Sequence, residues 1–160
     1  MSAISTVVTA SVEAPLARTF EIAVPIDVLA VMKPRGFLPG VARVENQTGP
    51  WNAVGQNRRL YLTDGSSVFE EIIDYAANHH FAYTVSRFTG VFSALVREAR
   101  GEWNFTQTAT GRTQIDWTYA FTPKSMLARP FVWLIVKLLW SGYMRKALTR
   151  TAEIVEKDAS

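Results

Sequence analysis

Cysteine is absent from this chain of 160 residues. That excludes disulfides, thiolate nucleophiles and zinc–thiolate sites together. Histidine occurs only as the adjacent pair His79-His80. Neighbouring residues of an extended segment point to opposite faces, so the two cannot readily share one ion. They follow Asn78 in a turn and read as surface side chains. No metal and no cofactor is expected. Charge is also scarce: Asp, Glu, Lys and Arg make up 19% against 48% apolar residues, a balance that favours a packed core over disorder. Long hydrophobic runs are missing. The most membrane-like stretch, Phe131–Trp140, is ten residues long and contains Lys137, whereas a span needs about 20. No basic residue precedes the apolar part of MSAISTVVTASVEAP. That is a poor signal peptide, and a cytoplasmic location is the expectation. No GxSxG, glycine-rich phosphate loop, HExxH or EF-hand string occurs.

The charge that is present is unevenly spread. Residues 1–80 hold 6 basic and 8 acidic side chains, and residues 81–160 hold 11 and 6. Lys124, Arg129, Lys137, Arg145, Lys146 and Arg150 fall in or near one C-terminal stretch. They are scattered rather than clustered among exposed aromatics, so nucleic acid is not expected as a partner. A solvated helix face and attraction to anionic lipid both remain open.

Periodicity assigns the elements. Residues 4–13 alternate and are rich in Val and Thr, which predicts a strand with Ile4, Thr6, Val8, Ala10 and Val12 on one face. Pro15 then starts a short helix with Leu16, Phe20 and Ala23 inward; Pro25 ends it, and Asp27 caps a second one, Val28–Met32. Six strands follow, separated by glycine turns: Val41–Thr48, Gln56–Thr63, Ser67–Ala76, His80–Thr89, Ala94–Thr108 and Arg112–Thr122. From Ala128 to Lys157, Trp133, Val136, Trp140, Met144, Ala147, Thr151 and Ile154 recur at steps of three and four. They mark one face of a helix roughly 40 Å long. The fold expected is α+β, one domain over residues 1–160: a curved antiparallel sheet of about seven strands gripping a long C-terminal helix, with two short helices after strand one.

Hairpin registers say which side chains face that helix. A two-residue Asp64-Gly65 turn sets Arg58 opposite Glu71 and Arg59 opposite Glu70. It turns Leu60, Phe69 and Ile73 inward with the Arg58–Glu71 pair. The last hairpin, around Gly111, sets Trp103 opposite Trp117 and Phe105 opposite Ile115, with Tyr119 on the same dry face. Arg97 shares that parity. The candidate lining is Arg58, Leu60, Phe69, Glu71, Ile73, Tyr83, Arg97, Trp103, Trp117, Tyr119, Trp133, Val136, Trp140 and Met144. Arg58, Glu71 and Arg97 are its polar contacts. A buried ion pair rarely improves on apolar packing, so its retention hints at a polar ligand head group. No catalytic set is evident.

Several strings, in order, resemble the START-related, polyketide cyclase/dehydrase-like superfamily (SRPBCC), which shares the helix-grip fold of the birch-pollen allergens. They are Val12-Glu13-Ala14-Pro15 before a short helix and Gly36-Phe37-Leu38-Pro39-Gly40-Val41. The hairpin with Arg58-Arg59, Asp64-Gly65 and Glu70-Glu71, the strand Thr113–Tyr119 and the long last helix follow. The resemblance spans nearly the whole chain. It implies a deep apolar cavity between sheet and helix, used for lipids, polyketides, quinones, sterols or hormones. It implies no particular activity, because members of one fold differ in chemistry.

The expectation is a domain that binds or carries a hydrophobic small molecule or lipid. Two rivals stay open: a polyketide cyclase or dehydratase using the same cavity, and a module that dimerises or docks on a membrane through Phe131–Trp140.

Overall fold

The computed structural model describes residues 2–160. Strand β1 (Ile4–Val12) buries Ile4, Val8 and Val12. Pro15, extended at ψ 153°, leads into α1 (Leu16–Ala23), and the Asp27 carboxylate accepts the Leu29 N–H at 3.0 Å to start α2 (Val28–Val31). Then come β2 (Val41–Glu45), β3 (Asn57–Leu62), β4 (Ser67–Ala76), β5 (His80–Ser86), α3 (Phe92–Leu95), β6 (Val96–Ala109) and β7 (Arg112–Pro123). The seven strands form one antiparallel sheet in the order β1-β7-β6-β5-β4-β3-β2. Helix α4 (Arg129–Leu134), a π-helical segment (Ile135–Trp140) and α5 (Ser141–Ala159) run on as one rod. The sheet wraps that rod, which gives the helix-grip architecture.

The short helix α3 takes the place of the expected start of a strand at Ala94. Gly90, at φ +76°, makes a turn that the Ser93 hydroxyl braces by donating to the Gly90 carbonyl at 2.6 Å. Pairing resumes only at Val96, and a bulge at Arg97 follows. That extra residue puts Arg97 out into solvent, so the inward parity expected for it fails.

The last hairpin has Trp103 opposite Trp117 and Phe105 opposite Ile115, as expected. The Asp64-Gly65 hairpin does not have its expected register. Its loop is three residues, Thr63-Asp64-Gly65: the Gly65 N–H donates to the Leu62 carbonyl at 3.1 Å, Gly65 sits at φ +87°, and the Leu62 N–H reaches the Ser66 carbonyl at 2.8 Å. This is a turn followed by a left-handed glycine. The Asp64 carboxylate accepts the Ser66 N–H, and Thr63 is drawn off to bond the Gly40 backbone. Arg58 therefore faces Glu70 rather than Glu71, and Arg59 faces Phe69. One residue of slip turns β4 over: Val68, Glu70 and Ile72 point inward, while Phe69, Glu71 and Ile73 lie on the outer face.

The terminal rod shows a second shift of phase. Its first turns bury Val132 and Val136, and beyond the π segment the buried set is Tyr143, Met144, Ala147, Leu148, Thr151, Ala152 and Val155. A π turn holds more residues than an α turn, so a stripe drawn at constant period drifts off the core. Trp133, expected inward, is 49% exposed for that reason. Helix α5 is tied down by polar bonds in its first turn and its middle: the Tyr143 hydroxyl donates to the Pro39 carbonyl at 2.7 Å and Arg150 Nη1 to the Val31 carbonyl at 3.0 Å.

Candidate functional site

Between the sheet and the rod lie two adjoining chambers that share Met32, Leu60, Glu70 and Tyr119 as a common wall. The outer chamber continues to Val68, Phe88, Phe92, Phe121, Trp140 and Tyr143. The inner one continues to Trp51, Arg58, Phe81, Tyr83, Trp103 and Trp117 under α1, α2 and Thr151 of α5. Room for the centres of water molecules amounts to about 70 Å³ outside and about 60 Å³ inside. One water needs roughly 10–15 Å³ on that measure, so each chamber holds a few waters or a small ring. A longer ligand has to span the waist, where Met32, an unbranched and adaptable side chain, forms part of the shared wall.

The polar centre is the Arg58–Glu70 pair. Arg58 Nε donates to Glu70 Oε1 at 2.9 Å, with the two side chains only 8% and 10% exposed. Arg58 Nη1 reaches Gln47 Oε1 at 3.5 Å, and the guanidinium lies 3.8 Å from the centre of the Trp51 ring. Trp51 is buried and adopts φ +63°, a conformation that costs a non-glycine residue about 1–2 kcal/mol. The stacking on Arg58 helps to offset that cost. Strand β3 supplies Arg58, β4 supplies Glu70, and the loop after β2 folds Trp51 over both.

The inner wall is aromatic. Trp103 and Trp117 face each other across β6 and β7 with ring centres 4.8 Å apart, and Phe81, Phe105 and Tyr119 continue the cluster. Gly101 lies between Tyr83 on β5 and Tyr119 on β7. A methyl group there would collide with the Tyr83 ring, so the glycine lets that ring lie flat on the strand. Burial, followed by the Glu70 carboxylate, holds the Tyr83 hydroxyl well above its ordinary pKa. Burial does the same for Tyr119, with the neighbouring Tyr83 next in effect. Both hydroxyls are therefore neutral donors at any physiological pH.

Three buried indole N–H groups have no hydrogen-bond partner among the described residues: Trp103 Nε1, Trp117 Nε1 and Trp140 Nε1. The first two lie near enough to the Tyr83 hydroxyl to favour its ionised form slightly, but neither reaches it in hydrogen-bond geometry. An unsatisfied buried donor costs about 1–3 kcal/mol, and all three belong to residues that line the chambers.

Of the residues expected to line the site, Arg58, Leu60, Tyr83, Trp103, Trp117, Tyr119 and Trp140 lie on the chambers. Val136 and Met144 are fully buried in the core; Val136 borders only a small void with Phe92, Phe121 and Val132. Phe69, Glu71, Ile73, Arg97 and Trp133 lie outside the site, displaced by the hairpin register, the bulge and the π segment. Arg87 instead stacks on Phe69 at the outer surface, 4.3 Å from its ring centre. Glu70, Trp51 and Met32 are among the lining residues absent from the expected set, as are Phe81, Phe88 and Phe92. A large aromatic in a Gly-Pro loop just ahead of an Arg-bearing strand was the available signal for Trp51. His80 Nε2 pairs with Asp74 Oδ2 at 3.0 Å at the surface, away from the chambers.

Comparisons with known proteins agree with this architecture. A Streptomyces aromatase/cyclase is similar at TM-score 0.71 and 19% identity, over 99% of this chain and 96% of that one. A norcoclaurine synthase of Thalictrum flavum, solved with a transition-state analogue, is similar at TM-score 0.70 and 16% identity, over 100% and 99%. The ginseng major latex-like protein 151 of Panax ginseng is similar at TM-score 0.68 and 11% identity, over 100% and 99%. At such identities the likeness establishes the fold alone. A search of curated proteins by sequence finds no match. The family described as polyketide cyclase/dehydrase and lipid transport matches residues 3–156, nearly the full length, and the chain belongs to that family.

Proposed function

We propose that this protein binds a ring-containing hydrophobic molecule that carries carbonyl or phenolic oxygens, held across both chambers. The observation that carries this reading is the set of unpartnered indole donors around a buried Arg58–Glu70 pair in an otherwise apolar space. A purely aliphatic lipid would leave Trp103 Nε1, Trp117 Nε1 and Trp140 Nε1 unsatisfied. An oxygenated aromatic would satisfy them while its rings stack on Trp and Tyr. Apolar walls with a few placed polar groups are the usual make-up of a small-molecule site.

A second reading, cyclisation of a polyketide chain with loss of water, is favoured by the family's description and by the ion pair at the chambers' wall. Tyr83 and Tyr119 supply it with donors rather than acids, because a general acid works best with a pKa near the working pH. Proton transfer would fall to Glu70. Displacement of a naphthalene-sulfonate fluorophore tests the first reading. The fluorophore should bind saturably and be displaced by hydroxylated naphthalenes and anthraquinones better than by fatty acids. Preferential displacement by fatty acids would overturn it. A mass change in a recovered polyketide-like ligand would favour the second.

A further inference from the structure

We infer that the face formed by α4 and the π segment docks this protein on an anionic lipid surface, with the outer chamber opening towards that surface. The inference does not depend on which ligand the cavity takes. From Lys124 to Thr151 the chain contains no acidic residue, but it carries Lys124, Arg129, Lys137, Arg145, Lys146 and Arg150. Four of these cations are held by backbone carbonyls and not by carboxylates: Arg150 on α5, bonded to Val31, and three in or beside α4 and the π segment. Lys124 Nζ donates to the Ser93 carbonyl at 2.9 Å, Arg129 Nη1 to the Ser2 carbonyl at 2.7 Å and Lys137 Nζ to the Ser5 carbonyl at 2.6 Å. Their charge is fixed in place and not neutralised by these partners. Among them stand exposed Leu127, Phe131, Trp133, Leu134 and Leu138. Large apolar side chains interleaved with uncompensated cations are the make-up of an interfacial helix. No helix among the described residues is long and apolar enough to cross a membrane, so the contact is peripheral.

The same face is linked to the chamber. Three segments that line the outer chamber each also present a large apolar side chain to solvent. The loop that supplies Pro39 exposes Phe37 at 93%; the turn that supplies Phe88, Thr89 and Phe92 exposes Val91 at 77%; the π segment that supplies Trp140 exposes Leu138 at 69%. The one acid on the turn beside Gly90, Asp64, has its carboxylate engaged by Ser66. Exposed apolar side chains on segments that also line the outer chamber, together with a cationic face, fit a bilayer from which an apolar ligand is exchanged without crossing water.

Co-sedimentation of the full chain with phosphatidylcholine vesicles, with and without phosphatidylglycerol, tests this. Binding should require phosphatidylglycerol and fall as salt rises. Leu134→Ser with Leu138→Ser should abolish it, and Lys137→Gln with Arg145→Gln should weaken it about thirtyfold. Thermal midpoint and displacement of the fluorophore in vesicle-free buffer should be unchanged in both variants, which separates failure of docking from failure of ligand binding. Absence of vesicle binding would overturn the inference. So would salt-independent binding, or a stable dimer that the two leucine substitutions split, since a second copy would then cover the face.

Discussion

At the scale of the residue, the Arg58–Glu70 pair is the feature that packing alone does not explain. Two charges at this depth cost several kcal/mol each in desolvation, and their attraction regains that only with good geometry. Arg58→Met should leave Glu70 buried without a partner and destabilise the fold by roughly 3–5 kcal/mol. Arg58→Met with Glu70→Leu should restore most of that loss and still fail to bind the oxygenated ligand. Denaturant melts and fluorophore displacement on both variants check the two halves. If the double variant binds as the original does, the pair has no part in recognition. Sequence reasoning found Arg58 on β3 and placed its acid one residue late. Alternation along β3 was legible; the three-residue turn that sets the partner rests on Gly65 adopting φ +87° and on Thr63 bonding Gly40, a contact between distant residues.

At the scale of the element, the strands were legible where one-sided burial is cleanest. Strand β7 alternates buried and half-buried residues along its whole length, and its register with β6 followed from sequence. Elements broken by a bulge or a π turn were not, because an inserted residue carries no side-chain signature of its own. That is how Arg97 and Trp133 came to be expected inside. The strand glycine Gly101 ties the sheet to the site, since it seats the Tyr83 ring. Gly101→Ala should push that ring into the inner chamber and destabilise the protein by about 1–3 kcal/mol, the usual cost of overpacking. It should also weaken ligand binding. Retention of full affinity in a folded Gly101→Ala protein would mean that Tyr83 is not part of the binding wall.

At the scale of the whole molecule, the sheet and the rod enclose a space that neither defines alone. The order of elements was legible except for α3, because proline, glycine and the change from a period of two to one near 3.6 mark the other boundaries. The division of the cavity into two chambers was not, because it depends on Met32, at the end of α2, and Tyr119, on a distant strand, lining the same boundary. On the proposed function, unpartnered indole N–H groups in an apolar cavity select an oxygenated ring. The most direct measurement is calorimetric titration of 1-naphthol and of its parent hydrocarbon into the protein and into Trp103→Phe with Trp117→Phe, which keeps an aromatic ring at each position and removes two donors. The naphthol should bind more tightly than the hydrocarbon, and the variant should lose about tenfold for the naphthol and little for the hydrocarbon, as expected for lost hydrogen bonds. Equal affinities for the two compounds in the unaltered protein, or an unchanged preference in the variant, would contradict it.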